Sequence, residues 1–172
     1  MASPQQRSCG CFPLDDGPLS EATSGIEEPH QDISQRLRTA FWDTFMKLPE
    51  PARTAINVHW NAVRSSTGGR TPSVELSTYP AGAARKNVLA ATNSAAFWFH
   101  PHVLSHAPDK VVEALVAHEL AHALLQAKRK TFESDKAEEQ VVPFITFGWG
   151  YEDQDIDEWR AEVNASTDLS AA

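Results

Sequence analysis

Cysteine is nearly missing from this sequence of 172 residues: only Cys9 and Cys11 occur, in a Cys-Gly-Cys close to the N-terminus. Two thiols one residue apart exclude a disulfide framework, and with no further ligand beside them they are assigned no role. Long apolar runs are missing too, since no stretch nears the roughly 18 to 20 apolar residues that span a bilayer. The first thirty residues hold Asp15, Asp16, Glu21, Glu27 and Glu28 and no apolar h-region, which argues against a secretory signal. The cytoplasm is the expected compartment. Clustered positive charge is the third absence. The formal net charge is -8, residues 131–172 carry 11 acidic and 2 basic side chains, and the one basic run is Lys128, Arg129, Lys130. Phosphate recognition needs clustered Lys and Arg, so neither nucleic acid nor a membrane is an expected partner. Internal repeats of 20 to 50 residues are absent as well.

What remains is an ordinary globular composition, with 41% hydrophobic and 22% charged residues. The length suits one domain with a proper core. Residues 1–30 are rich in Pro, Ser, Gly and acid, with few large apolar side chains beyond Phe12, Leu14, Leu19 and Ile26. They cannot bury enough surface to offset the entropy of ordering, so a disordered arm is expected at 1–30. A single domain over 31–165 and a flexible tail over 166–172 complete the expected organisation.

Apolar periodicity places the elements. Ile33, Leu37, Phe41, Trp42, Phe45 and Leu48 recur at three-to-four-residue spacing between Asp32, a candidate cap, and Pro49, which ends the pattern. Residues 55–60 alternate apolar and polar like a half-buried strand, with His59 on the solvated side, and the Gly68-Gly69 pair reads as a turn. Residues 74–79 alternate again, and 95–99 form an apolar and aromatic run ending in His100-Pro101-His102, for a total of three strands. Pro108 and Asp109 open a helix that is apolar nearly all round and closes on the basic triplet. Such a helix is buried.

In its middle stand His118, Glu119 and His122. The i, i+4 spacing stacks both imidazoles on one face, at a separation that one zinc ion can bridge. Glu119 lies about 100° round the helix, within reach of a metal-bound water without being a ligand. That is the arrangement of metal-assisted hydrolysis, in which the ion polarises the carbonyl and a carboxylate moves the proton. Unpartnered, such a polar cluster inside an apolar helix would cost about 1 to 3 kcal/mol per group. A catalytic zinc wants a third protein ligand, and no histidine follows His122. The candidates are the carboxylates between Glu133 and Glu139. Glu139 is favoured, with Glu138 the alternative, at the start of an apolar segment expected to be a second buried helix. Pro143 should kink or restart it. His100 or His102 are lesser candidates, and the phenol of Tyr151, past Gly148-Trp149-Gly150, is a possible oxyanion donor. A short acidic helix over 155–163 is expected to follow.

The stretch 56–126 resembles the SprT-like family of zinc metallopeptidases. The matching residues are Val58-His59-Trp60-Asn61, the turn through Gly68-Gly69, the aromatic strand ending in His100-Pro101, and 115–123, Leu-Val-Ala-His-Glu-Leu-Ala-His-Ala. The resemblance implies His118 and His122 as zinc ligands and Glu119 as the catalytic base. Its usual third histidine is missing here. The paired Glu138 and Glu139 with Trp149-Gly150-Tyr151 look instead like the glutamate-ligand arrangement of ImmA/IrrE-like small metallopeptidases.

The expectation is therefore an α+β minimal zincin-like domain, binding Zn2+ and hydrolysing protein or peptide substrates. The competing expectation is a catalytically silent zinc-containing regulatory or interaction module of the same fold.

Overall fold

The computed structural model describes residues 29–68, 72–76, 89–93 and 95–169. The arm expected at 1–30, apart from its last two residues, lies outside them, as do Cys9, Cys11 and the far ends of the expected turn and second strand. The first helix, α1 (Pro29–Lys47), starts before Asp32, which sits in its first turn. Leu37, Phe41, Phe45 and Leu48 are buried along one stripe, as their spacing requires.

The strand expected at 55–60 is instead part of a helix, α2 (Glu50–Thr67). Ala52, Ile56 and Trp60 are buried at four-residue intervals while Val58 is 65% exposed. A 3.6-residue repeat sampled over six positions mimics alternation, and only the longer window from Ala52 to Val63 separates the two periods. Pro is tolerated in the first turn of α2, and Gly68, at φ 68°, closes it with its N–H on the carbonyl of Arg64. The Gly-Gly pair therefore begins as a helix cap.

Three strands do occur among the described residues: β1 (Ser73–Leu76), β2 (Ala90–Asn93) and β3 (Ala96–Phe99). They form a mixed sheet in the order β1-β3-β2, with Val74 opposite Phe97 in parallel and Ala91 opposite Trp98 in antiparallel register. The edge strand β2 has the sequence Ala-Ala-Thr-Asn, with little β preference of its own, so it escapes a reading based on pattern. His100-Pro101-His102 leads into a short helix, α3 (Pro101–His106).

The site helix, α4 (Asp109–Ala127), runs through the centre of the molecule, packed by α1, α2, β2 and two later helices. Thirteen of its 19 residues are buried, so its polar side chains must find partners inside the protein. On one side lies an aromatic core, in which Phe41 meets Phe97 at 4.9 Å and Phe45 stacks on Trp60 at 5.2 Å. On the other lies α5 (Asp135–Gly148), capped by the Ser134 hydroxyl, which accepts from the Ala137 N–H. It begins three residues before Glu138 and passes through Pro143 as one element.

The expectation that α5 is buried is not met, because Phe144 and Phe147 are 79% and 70% exposed. Val142 and Thr146 face inward instead. Finally α6 (Asp153–Leu169) returns across α4 and extends well past the expected 155–163, into the region expected to be a flexible tail. The architecture is α+β. No helix among the described residues is long and apolar enough to cross a membrane.

Candidate metal centre

Two helices, α5 and α6, deliver the polar partners that α4 needs. His118 and His122 project from one face of α4, their Nε2 atoms 3.2 Å apart. From α5, Glu139 places Oε2 3.3 Å from Nε2 of His118 and Oε1 3.3 Å from Nε2 of His122. The neighbouring Glu138 reaches the other edge of the same ring, with Oε1 2.9 Å from Nδ1 of His122. From the first turn of α6, Asp153 puts Oδ2 2.7 Å from Nδ1 of His118. Thr146, buried on α5, donates its hydroxyl to the second oxygen of Asp153 at 2.8 Å.

A carboxylate on each Nδ1 favours the N–H there, and in that tautomer both Nε2 atoms present lone pairs. In that tautomer two imidazole lone pairs 3.2 Å apart and a carboxylate form an acceptor-only triangle of groups, with Oε2 of Glu139 3.3 Å from one nitrogen and Oε1 3.3 Å from the other. A shared proton serves one edge; a cation at the centre serves all three. A tetrahedral ion with bonds of about 2.0 to 2.1 Å separates neighbouring ligands by about 3.3 Å, close to the distance between the two nitrogens and from each nitrogen to its nearer carboxylate oxygen. His118, His122 and Glu139 are also the one group among the described residues whose ligand atoms all lie within 4.8 Å of one another.

Charge points the same way. Glu119, Glu138, Glu139 and Asp153 crowd around two rings that are neutral when both Nε2 are unprotonated. Glu119 is 1% exposed, and its Oε2 is buried without a hydrogen-bond partner. Burial pushes its carboxyl up from the ordinary value, against the pull of His122 and His118. For Glu139 burial also pushes upward, but hydrogen bonds from His118 and His122, which the rings donate when Nε2 carries a proton, outweigh it and hold the carboxyl well below the usual range, so in the absence of a cation protons take its place. Asp153 behaves alike: burial raises it, and the contacts to His118 and Thr146 more than reverse that. The orphaned oxygen of Glu119, the acceptor triangle and the excess of acid all fit a divalent cation, and two imidazoles favour zinc over the harder Mg2+ or Ca2+.

Of the side chains singled out in the sequence, His118, Glu119, His122, Glu138 and Glu139 come together. Glu138 stands behind a ring rather than in the triangle. Tyr151 packs at the edge of the core, where the charges acting on its phenol are Lys47 and Glu113. Lys47 belongs to α1 and Glu113 to α4. His100 is half-buried at the end of β3, outside the triangle, and burial lowers its pKa. Asp153 and Thr146 escaped the sequence reading. The one available signal was an acid just past the Gly-rich turn that ends the ligand helix.

A cavity of about 240 Å3 opens on this cluster, with His118, Glu139 and Asp153 in its wall. The class that fold and site define is an α+β domain with a buried two-histidine, one-carboxylate cluster between three helices. Comparisons with protein-family models, with curated proteins and with solved structures find no match.

Proposed function

We propose that the chain is a zinc-dependent peptidase of zincin-like fold. The observation that carries this reading is the acceptor triangle of His118, His122 and Glu139, with both imidazoles locked from behind by Asp153 and Glu138. In this reading His118, His122 and Glu139 hold the ion, and the cavity leaves a fourth position for water and substrate. Zinc bound there supplies a Lewis acid that acidifies water and polarises a carbonyl. The chain does the rest. Glu119, next to His118 on α4 and sealed from solvent, takes a proton at its unpartnered Oε2 and returns it to the leaving amine. Asp153 and Glu138 hold the rings so that the metal-facing lone pairs do not turn away.

Metal content decides the first half of the proposal. Protein purified without added metal or a His-tag is expected to carry one equivalent of zinc, lost in His118→Ala and weakened in Glu139→Ala. No metal, and no uptake when zinc is offered, would remove the basis of the enzyme reading. Glu119→Gln addresses the second half: it should keep the zinc and lose at least about a hundredfold in peptide hydrolysis, in line with removal of a general base. Unchanged hydrolysis would refute the assigned role. An inert wild-type protein with full zinc would favour the silent regulatory module, a reading to which the near-complete burial of Glu119 lends support.

A further inference from the structure

Arg160 is one of only two basic side chains in residues 131–172, and it lies in the wall of the cavity that opens on the metal cluster. On α6 it follows Asp153 and Ile156 at i, i+3 and i+7, so all three share one face. Seven residues of helix carry it about 10 Å along the axis from Asp153, which grips His118. Leu115, Pro143 and Ile156 supply the apolar wall between.

The guanidinium is poorly engaged. Its Nε is buried without a hydrogen-bond partner, and the Asp157 carboxylate approaches Nη1 only to 3.6 Å, from a side chain that is 74% exposed. An exposed i, i+3 pair at that distance contributes little. The planar fork of an arginine matches a carboxylate, and a singly charged group suits a wall that also holds Glu139, Asp153 and Asp157 better than a dianion would. The volume fits one residue-sized group with an apolar stem.

Resting on the peptidase reading, we propose that this cavity takes a carboxylate-bearing residue of the substrate beside the scissile bond, with Arg160 as the residue that binds it. The carboxylate belongs either to a chain's C-terminus or to an acidic side chain.

The test is a titration, followed by NMR, of the zinc-loaded protein with three probes: N-acetyl-leucine, the α-amide of N-acetyl-glutamic acid, and the neutral N-acetyl-leucinamide. One of the two acids should bind at least about tenfold more tightly than the neutral amide, as a charge-assisted pair implies. N-acetyl-leucine as the tighter acid identifies a C-terminal carboxylate; the glutamic acid derivative identifies a side chain. Arg160→Gln should abolish the preference while zinc content and Tm stay unchanged, and Arg160→Lys should restore part of it. Equal binding of acid and amide, binding of neither acid, or full binding to Arg160→Gln would each overturn the proposal. Binding of an acid that needs Arg160, in a protein that cleaves no peptide, would leave the cavity assignment standing and the peptidase reading fallen.

Discussion

Glu138 and Glu139 are neighbours in the chain, yet they touch opposite edges of one imidazole: Nδ1 of His122 for the first, Nε2 for the second. Adjacent residues on a helix diverge by about 100°, and a ring lying flat between them is what lets both reach it. Sequence reasoning could name the pair and favour Glu139, because the missing third histidine left carboxylates as the natural ligands. It could not divide their roles, since that depends on which ring edge faces α5. Asp153 was beyond it altogether, lying 31 residues past His122 and brought back only by the turn at Gly148 and Gly150, the latter at φ 87°. The roles now separate by experiment. Asp153→Asn and Glu138→Gln each keep shape and remove charge behind a ligand ring. Each should weaken zinc affinity by about 10- to 100-fold, as loss of such partners does elsewhere, with far-ultraviolet circular dichroism unchanged. Competition against a chelating dye measures this. Unaltered affinity in both variants would mean that the carboxylates behind the rings do not orient them toward a metal.

At the scale of elements, the helices that carry the candidate centre were legible and the connections were not. α4 announces itself by apolar residues on every side around a polar core, and α1 by a stripe with a proline stop. β2 has no such signature, because Ala-Ala-Thr-Asn is placed by its pairing with β3 rather than by its own preference. α2 was misread from a window too short for its period. The two readings of that segment differ in a measurable way. On a strand, Ile56, Val58 and Trp60 would share a face and all be buried; on the helix, Ile56 is fully buried and Val58 points to solvent. Ile56→Ala should therefore cost about 2 to 5 kcal/mol by the cavity it leaves. Val58→Ala should be neutral or stabilising by about 0.5 kcal/mol, since alanine is the better helix former. Chemical denaturation gives both values, and a substantial loss for Val58→Ala would contradict the helical assignment.

Taken whole, the molecule has two unequal halves of support around α4. Aromatic packing from α1, α2 and the sheet anchors one side, with Phe41, Phe97 and Ile56 fully or almost fully buried. The other side rests on a smaller apolar cluster of Ala121, Leu125 and Val142 and on the polar contacts of the centre, while Ile156 and Trp159 tie α6 to the larger core. A salt bridge from Lys110 to Asp155 at 2.7 Å also joins α6 to α4, but it is too exposed to hold much. If an ion links α4 to α5 directly and to α6 through Asp153, its removal should loosen that side alone. At zinc one hundredfold above its Kd, binding adds about 2.7 kcal/mol to the native state. For a domain of this size that corresponds to about 5 to 10 °C in Tm. A chelator should thus lower Tm by that amount without unfolding the protein at room temperature. Hydrogen exchange on the stripped protein should show lost protection in α5 and the first turn of α6 and retained protection in α1, α2 and β3. Global loss of protection would mean that the aromatic half cannot stand without the metal. No change in either Tm or exchange would mean that the acceptor triangle holds no ion at all.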